Sequence, residues 1–300
     1  MTTNKMRSVA FQNRIGLIAG WGRFPIQVAK ALKASGYQVY CCGIYGHADP
    51  NLQDICDEFA WFGMAKMGAQ VRFLRRHKVQ SATMAGKIFK TLLFQKFHLL
   101  KHFPDWESLK HFYPVYFSKK KDQRDDTLLS IVTDLYASNG IQFSPATDYA
   151  PELLVKYGLL TKKSPSPSQL LDIKFAWQMA KEMGRLDIGQ SVAVKGQAVL
   201  AVEAVEGTDD CIRRAGQLCP SGGFTVVKVA KPQQDMRFDV PTIGVGTIQT
   251  MKDAGGSILT IEADKTIVLD QSELVAYANQ VGVTVLAMDP ASISNPGKVA

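Results

Sequence analysis

The sequence predicts an α/β fold, with a parallel-sheet domain at its N-terminal end and a distinct second α/β domain. The apolar run 14–20 ends in a glycine turn and is followed by a helical spacing of apolar residues over 26–35. Gly36 is placed to end that helix, and a second apolar run follows over 37–44. The order strand, helix, strand is typical of a parallel βαβ unit.

A further strand is predicted over 81–85, after a helix over 71–77, and it stops at Gly86 and Lys87. Ligands of doubly wound sheets bind outside the carboxyl ends of the strands. We therefore expect the first glycine turn, residues 20–25, and Gly86-Lys87 on one rim of the sheet.

The first glycine turn departs from a dinucleotide-binding turn in two ways. Pro25 occupies the position of the third glycine of Gly-x-Gly-x-x-Gly, and the second strand ends at residues 43–45 without a carboxylate for a ribose. Pro25 suits the first turn of a helix, which leaves the N–H groups of residues 22–24 for a phosphate or a sugar. A turn that serves only the fold explains the pattern equally well.

Residues 88–121 mix aromatic and basic side chains densely. An ordinary helical hairpin with lysines lying over an apolar face accounts for them. A basic amphipathic surface for acyl chains or an anionic membrane also does, and both explanations stay open. Asp125 and Asp126 begin the next helical pattern, over 122–138, where the helix dipole favours carboxylates, so capping alone explains them.

The formal charge of +8 favours an anionic partner, either nucleic acid, an acidic membrane or a phosphorylated small molecule. The chain contains no long uncharged apolar window and no apolar signal core near its start, so we expect a cytoplasmic protein. Its five cysteines include no Cys-x-x-Cys pair, which argues against a disulfide framework and a structural zinc site.

A change of composition over 151–168, which contains Lys-Lys-Ser-Pro-Ser-Pro-Ser, predicts a linker between domains over 1–150 and 169–300. The second domain opens with a predicted helix over 168–183. Its predicted strands are 191–195, 198–205, 224–230, 257–261 and 266–269, and its further helices are 209–219, 247–254 and 271–281.

Carboxylates are concentrated in residues 202–210, and carboxylates and bases are mixed in residues 228–239. Each of these two stretches follows on from a predicted strand. Loops that follow neighbouring strands can converge. Oxygen ligands for a divalent ion and cations for phosphoryl oxygens are what a metal-bridged diphosphate requires. A surface salt-bridge network explains the same residues equally well. The residues are Glu203, Glu206, Asp209, Lys228, Lys231, Asp235, Arg237 and Asp239.

Six segments of the chain resemble the LpxI family, and the resemblance extends from about residue 15 to residue 289. The segments are residues 16–25, 85–87, 125–129, 184–192, 201–209 and 228–241. The last two, Ala-Val-Glu-Ala-Val-Glu-Gly-Thr-Asp and Lys-Val-Ala-Lys-Pro-x-Gln-Asp-x-Arg-Phe-Asp-x-Pro, are long and unusual. They therefore carry most of the specificity.

The resemblance implies a Rossmann-like N-terminal domain, a catalytic C-terminal domain and a ligand between them. It also implies Mg²⁺-dependent hydrolysis of UDP-2,3-diacylglucosamine to UMP and 2,3-diacylglucosamine 1-phosphate in lipid A biosynthesis. Carried onto this chain, the catalytic carboxylate is Asp235, and the metal ligands are Glu206, Asp209 and Asp239. The implied substrate-binding residues are Gly20, Gly22, Pro25, Gly86, Lys87, Asp125, Asp126, Lys228, Lys231 and Arg237.

The expected partners follow from this resemblance and the charge. We expect a homodimer, no nucleic acid, and at most a peripheral contact with the cytoplasmic face of the inner membrane. Two other functions are weighed against it. A nicotinamide-dependent oxidoreductase is disfavoured by Pro25 and by the missing carboxylate. A non-catalytic binder of anionic lipid fits the charge but leaves residues 203–239 unexplained.

Overall fold

The computed structural model describes residues 13–87, 104–117 and 125–294, and for residues 112–117, 125–128 and 294 it describes the backbone. The chain divides into two compact units, Met1–Glu152 and Leu153–Ala300. Each is described by itself.

The first unit is built on a five-stranded parallel sheet of order β3-β2-β1-β4-β5. This order matches five strands of the doubly wound order 3-2-1-4-5-6. The strands are β1 Arg14–Ala19, β2 Gln38–Ile44, β3 Glu58–Phe62, β4 Ser81–Ala85 and β5 Gln142–Phe143. The helices are α1 Phe24–Ala34, α2 Leu52–Ile55, α3 Met67–Arg76, α4 Trp106–Phe117, α5 Asp125–Ala137 and α6 Ala146–Tyr149.

Strand β1 lies in the middle of this sheet and is buried almost throughout. It pairs in parallel with β2 and with β4, as in Leu17 opposite Cys41 and Thr83. Gly16 lets α3 approach the sheet, because a Cβ there would lie 2.9 Å from Leu74 Cδ2. The parallel α/β architecture predicted for the N-terminal half is confirmed.

The second unit is built on a six-stranded mixed sheet of order β6-β13-β11-β9-β7-β8, with a separate two-stranded pair β10-β12. The strands are β6 Gly158–Leu159, β7 Ser191–Lys195, β8 Ala198–Val202, β9 Phe224–Lys228, β10 Thr242–Ile243, β11 Gly256–Glu262, β12 Ile267–Val268 and β13 Thr284–Met288. The helices are α7 Pro167–Arg185, α8 Thr208–Leu218, α9 Val245–Ala254, α10 Gln271–Val281 and α11 Pro290–Ser294.

The core of the second unit lies on both faces of this sheet. One buried cluster joins Val226 and Leu259 to Ile212 and Leu274, and the other joins Val227 to Trp177 of α7. Strands β9, β11 and β13 run parallel, whereas β7 and β8 form an antiparallel hairpin next to β9. This is the distinct second α/β domain that the sequence predicts.

Residues 151–168, predicted as a linker, contribute structure of their own. A 3-10 turn covers Pro151–Leu153, and β6 pairs antiparallel with β13. Val155 N donates to Thr266 O at 2.9 Å, so the part of this stretch from residue 153 onward is bonded into the second unit. The serine of Ser-Pro at 166–167 caps α7 in a capping box with Gln169.

Part of the aromatic and basic stretch over 88–121 falls outside the described residues, namely 88–103 and 118–121. Residues 106–117 form α4. Across the described ranges, none of the helices combines the length and the apolar character that crossing a bilayer requires.

Candidate active site

The two acidic and basic stretches of the second unit meet at one edge of its sheet. Lys228 ends β9 and lies opposite Ser191, which begins the antiparallel β7. Val202 ends β8 and lies opposite Val192. The segments after β8 and β9 therefore leave the sheet at the same edge, which is also the carboxyl end of β11.

A chain of polar side chains lies at this edge. Lys228 Nζ donates to Thr208 Oγ1 at 2.9 Å, and that hydroxyl donates to Glu203 Oε1 at 3.1 Å. Both charged side chains are buried, each at 7% exposure. Glu203 Oε2 is buried without a hydrogen-bond partner among the described residues. A buried cation and a buried carboxylate thus face each other through one hydroxyl, with one carboxylate oxygen left over.

Close backbone packing fixes the position of Glu203. Its N–H donates to Ser191 O at 2.9 Å. A Cβ on Gly189 would lie 2.0 Å from Glu203 O, so only glycine fits at that position. The packing of two loops therefore explains the glycine at position 189 of the segment 184–192.

Helix α8 begins at this edge. Its N-cap is Gly207, with φ of 84° and no side-chain capping bond, and its first residue is Thr208. The first N–H groups of a helix have no acceptor within the helix and carry the positive end of its dipole. Asp209 is exposed on the first turn, and Glu206 accepts from Ala204 N at 3.1 Å and pairs with Arg214.

The β9–β10 loop, residues 229–241, carries Asp235. The Arg237 guanidinium donates to both carboxylate oxygens of Asp235, at 2.9 and 2.6 Å, and lies over the Phe238 ring. The hydrogen bonds from Arg237 hold the pKa of Asp235 below its usual range, against a smaller opposite effect of burial. Asp235 is therefore a carboxylate at neutral pH.

The other predicted residues of this loop have partners as well. Lys231 Nζ donates to Asp187 Oδ1 at 2.7 Å, and Gln234 Nε2 donates to Asp239 Oδ2 at 2.7 Å. Asp239 is exposed. The first contact holds the loop to Asp187, two residues beyond the end of α7, and the second holds the loop to itself.

The three carboxylates predicted as metal ligands do not form a metal site by themselves. Across the residues that the structure describes, no three His, Cys, Asp or Glu side chains are grouped so that they could hold an ion. Glu206 is engaged by Arg214 and Asp239 by Gln234. The set Glu206, Asp209 and Asp239 therefore does not fit a metal held by protein ligands alone.

The glycine turns of the first unit lie together at the carboxyl ends of β1 and β4, as predicted. Trp21 and Lys87 form an antiparallel bridge, with N···O distances of 2.7 and 3.0 Å. A Cβ on Gly20 would lie 2.7 Å from Lys87 O, and one on Gly86 would lie 2.8 Å from Pro25 Cγ. Close approach of the two turns explains these glycines without a ligand.

The remaining predicted residues of this unit are Gly22, Asp125 and Asp126. Gly22 has a φ of 105°, a left-handed conformation that favours glycine. Asp125 and Asp126 are the first residues of α5, and their side chains lie outside the described residues.

Comparison with known proteins decides the family. The LpxI N-terminal domain matches residues 14–153, and the LpxI C-terminal domain matches residues 156–286. The chain belongs to the LpxI family. A relative from Caulobacter vibrioides, named UDP-2,3-diacylglucosamine pyrophosphatase LpxI, is 34% identical over 286 residues, covering 92% of this chain and 98% of the relative. The family resemblance read from six segments is confirmed.

Two residues of this LpxI-family chain that contact the β9–β10 loop were missed by sequence reasoning. Glu262 ends β11, and Lys181 lies on α7. Glu262 had one available signal, because it directly follows the predicted strand 257–261 at the carboxyl end of the sheet. Lys181 had none, because a single lysine in an amphipathic helix is ordinary.

Proposed function

We propose that this chain hydrolyses the diphosphate of UDP-2,3-diacylglucosamine, releasing UMP and 2,3-diacylglucosamine 1-phosphate. Membership of the LpxI family and the name of the Caulobacter vibrioides relative support the substrate. One observation carries the chemistry. The buried Lys228 lies beside the first residue of α8, and its strand runs directly into the loop that holds Asp235 and Arg237.

The cations at this edge suit a diphosphate. The ammonium of Lys228 and the N-terminal end of α8 both favour negative charge, and together they can bind phosphoryl oxygens. Charge on these oxygens grows in the transition state, so groups fixed before the reaction stabilise it. Lys228 is held by Thr208 at 2.9 Å, which fixes its ammonium in advance.

Asp235 is the proposed acceptor of the water proton. The water oxygen forms a bond to one phosphorus, the bond from that phosphorus to the bridging oxygen breaks, and the proton passes to Asp235. Arg237 shares its guanidinium between Asp235 and the incoming diphosphate. When Arg237 turns to the phosphoryl oxygens, Asp235 loses the guanidinium hydrogen bonds, keeps the one from the backbone N–H of residue 237, and becomes a stronger base.

The requirement for Mg²⁺ and the homodimer stay predictions. Mg²⁺ neutralises diphosphate charge, and proteins often bind it through one or two carboxylates together with the phosphates of the substrate. Because the predicted protein ligands do not cluster, no step of the mechanism is assigned to the metal.

The experiment measures UMP release from UDP-2,3-diacylglucosamine by the purified protein, with Mg²⁺ and with a chelator. We expect release that needs Mg²⁺, and a fall in kcat of about 10²- to 10⁴-fold in Asp235→Asn with substrate binding kept. The matched control is Asp253→Asn, an exposed carboxylate on α9 that bonds Gln249.

Two results would contradict this proposal. A wild-type protein that releases no UMP under either condition removes the function. Near-normal turnover by Asp235→Asn removes Asp235 from the reaction and leaves the function standing.

A further inference from the structure

Ala230, near the start of the β9–β10 loop, is held by an ion pair between the buried Glu262 and the part-buried Lys181. Lys181 Nζ lies 2.8 and 2.6 Å from the two carboxylate oxygens of Glu262, which is 5% exposed. Ala230 N donates to Glu262 Oε2 at 2.8 Å, and Lys181 Nζ also donates to Ala230 O at 3.0 Å. The backbone N–H and C=O of Ala230 therefore both form hydrogen bonds with this ion pair.

The same end of α7 receives the residues that follow Ala230. Gln233 Nε2 donates to Gly184 O at 2.8 Å. A Cβ on Gly184 would lie 3.2 Å from Lys231 Cα, so glycine permits this approach. The loop thus leaves β9 along a path that α7 fixes over several residues.

Stability alone is a weak reason for this ion pair. Taking the Glu262 charge and most of the Lys181 side chain out of water is costly, and well-packed apolar residues often replace a buried pair without loss of stability. The pair also bonds the Ala230 backbone, and apolar side chains cannot replace these hydrogen bonds. A buried backbone N–H and C=O beyond the end of a strand need hydrogen-bond partners. The pair therefore determines where the chain runs at Ala230, five residues before Asp235.

We propose that Lys181 and Glu262 are positioning residues for Asp235. They act on the reaction through the Ala230 backbone and touch no reacting atom. This inference rests on the proposed function for the identity of the reaction. A displacement of a catalytic group by about 1 Å lowers a rate by about 10²-fold, so a shift in the path of the loop is enough to slow turnover.

The kinetic experiment compares three proteins. In Glu262→Gln we expect kcat to fall about 10- to 100-fold while KM changes less than about threefold. The control is Asp172→Asn. Asp172 is a buried carboxylate on α7, the helix that carries Lys181, and it accepts from Gly196 N and Gln197 N in the β7–β8 turn. It has the same kind of contact away from the loop, so its kcat should stay at the wild-type value.

The double variant Lys181→Met/Glu262→Leu separates positioning from stability. An apolar pair should recover part of the thermal midpoint lost in Glu262→Gln, because Lys181 is no longer left without its partner, although the Ala230 N–H and C=O stay without theirs. It cannot bond the Ala230 backbone, so kcat should stay low. The double variant also tests the proposal if Glu262→Gln does not fold. Recovery of kcat together with the thermal midpoint would overturn the proposal.

Amide hydrogen exchange tests the same contact without substrate. Peptides from residues 229–236 should exchange at least about tenfold faster in Lys181→Met/Glu262→Leu, which cannot bond the Ala230 backbone, whereas Asp172→Asn should change exchange only around 196–197. Unchanged exchange over 229–236 overturns the proposal, whether or not the wild-type protein releases UMP. Faster exchange with an unchanged kcat also overturns it. Absence of UMP release by the wild-type protein defeats only the proposed function.

Discussion

At the scale of single residues, Arg237 controls the charge of Asp235. Its side-chain hydrogen bonds are the largest cause of the lowered pKa of Asp235. A carboxylate with a lowered pKa stays charged as the pH falls, until the pH passes through that lowered value. The pH dependence of kcat/KM reports the pKa values of the substrate-free enzyme. We therefore expect kcat/KM to stay constant from neutral pH down to below about pH 4, the ordinary pKa of an Asp side chain.

The variant Arg237→Gln tests this. Its Asp235 keeps the backbone N–H of residue 237 and loses the guanidinium, so the acid limb of kcat/KM should move up toward about pH 4. Arg237→Lys keeps a cation and should move the limb less. Circular dichroism at each pH separates titration from unfolding. Coincident acid limbs in the wild type and Arg237→Gln would contradict this account.

The sequence predicted the residues of the candidate site that lie in its two unusual motifs. Glu203, Lys228 and Asp235 all stand in loops or strand ends that local patterns place at the carboxyl edge. The pair formed by Lys181 and Glu262 was not predicted, because the two residues are 81 positions apart in the sequence and no local pattern connects them. The roles proposed for these residues in catalysis stay predictions.

At the scale of elements, α3 is capped by a residue from another segment. Asp105 Oδ2 accepts from Ala69 N at 2.8 Å, and Oδ1 accepts from Gly68 N at 3.2 Å and Ser108 Oγ at 2.8 Å. Burial raises the pKa of Asp105, but the bonds from Ser108, Ala69 and Gly68 outweigh it, so the pKa is lowered overall. Asp105 therefore stabilises the first unit as an anion.

We expect Asp105→Asn to lower the free energy of unfolding by about 1 kcal/mol at pH 7, the usual value of a helix cap. The contribution of the charge is present above the unfolded pKa of about 3.9 and disappears as the pH falls through the lower folded value. Urea unfolding at pH 7 and near pH 3 measures it. The exposed Asp134→Asn on α5 is the control, and equal losses in both variants would contradict the capping role.

Predicted and observed elements differ for a physical reason. The strands 81–85 and 191–195 and the helix 271–281 were predicted to the residue. Strand β13, Thr284–Met288, was missed although it pairs with β11 inside the sheet. It is buried at every position, and a short apolar run of that kind lacks the alternation that distinguishes a strand from buried helix.

At the scale of the whole molecule, the net charge is confined to one unit. Residues 1–152 contain 20 Lys and Arg against 12 Asp and Glu, whereas residues 153–300 contain 15 of each. The formal charge of +8 therefore belongs to the first unit. The second unit is neutral, and its candidate active site depends on a few local cations. The excess positive charge of the first unit therefore needs another explanation. The predicted contact with an anionic membrane is one such explanation.

That contact is testable through exposed bases of the first unit. Arg72, Arg75 and Arg76 are exposed on α3, a helix without acidic residues. A base near an anionic surface contributes about 1 kcal/mol, so replacing all three by Gln should weaken binding to phosphatidylserine-containing vesicles by up to about 100-fold. The control replaces the exposed bases Lys162, Lys163 and Lys252 of the second unit by Gln.

Both triple variants lose the same net charge, so a purely global attraction weakens binding equally in the two. A contact made by the first unit weakens only in the α3 variant, and this difference should shrink as salt shortens the Debye length from about 10 Å at 0.1 M to about 3 Å at 1 M. Vesicle co-sedimentation at both salt concentrations measures it. Equal binding by the wild type and the α3 variant at low salt would show that these bases do not meet the membrane.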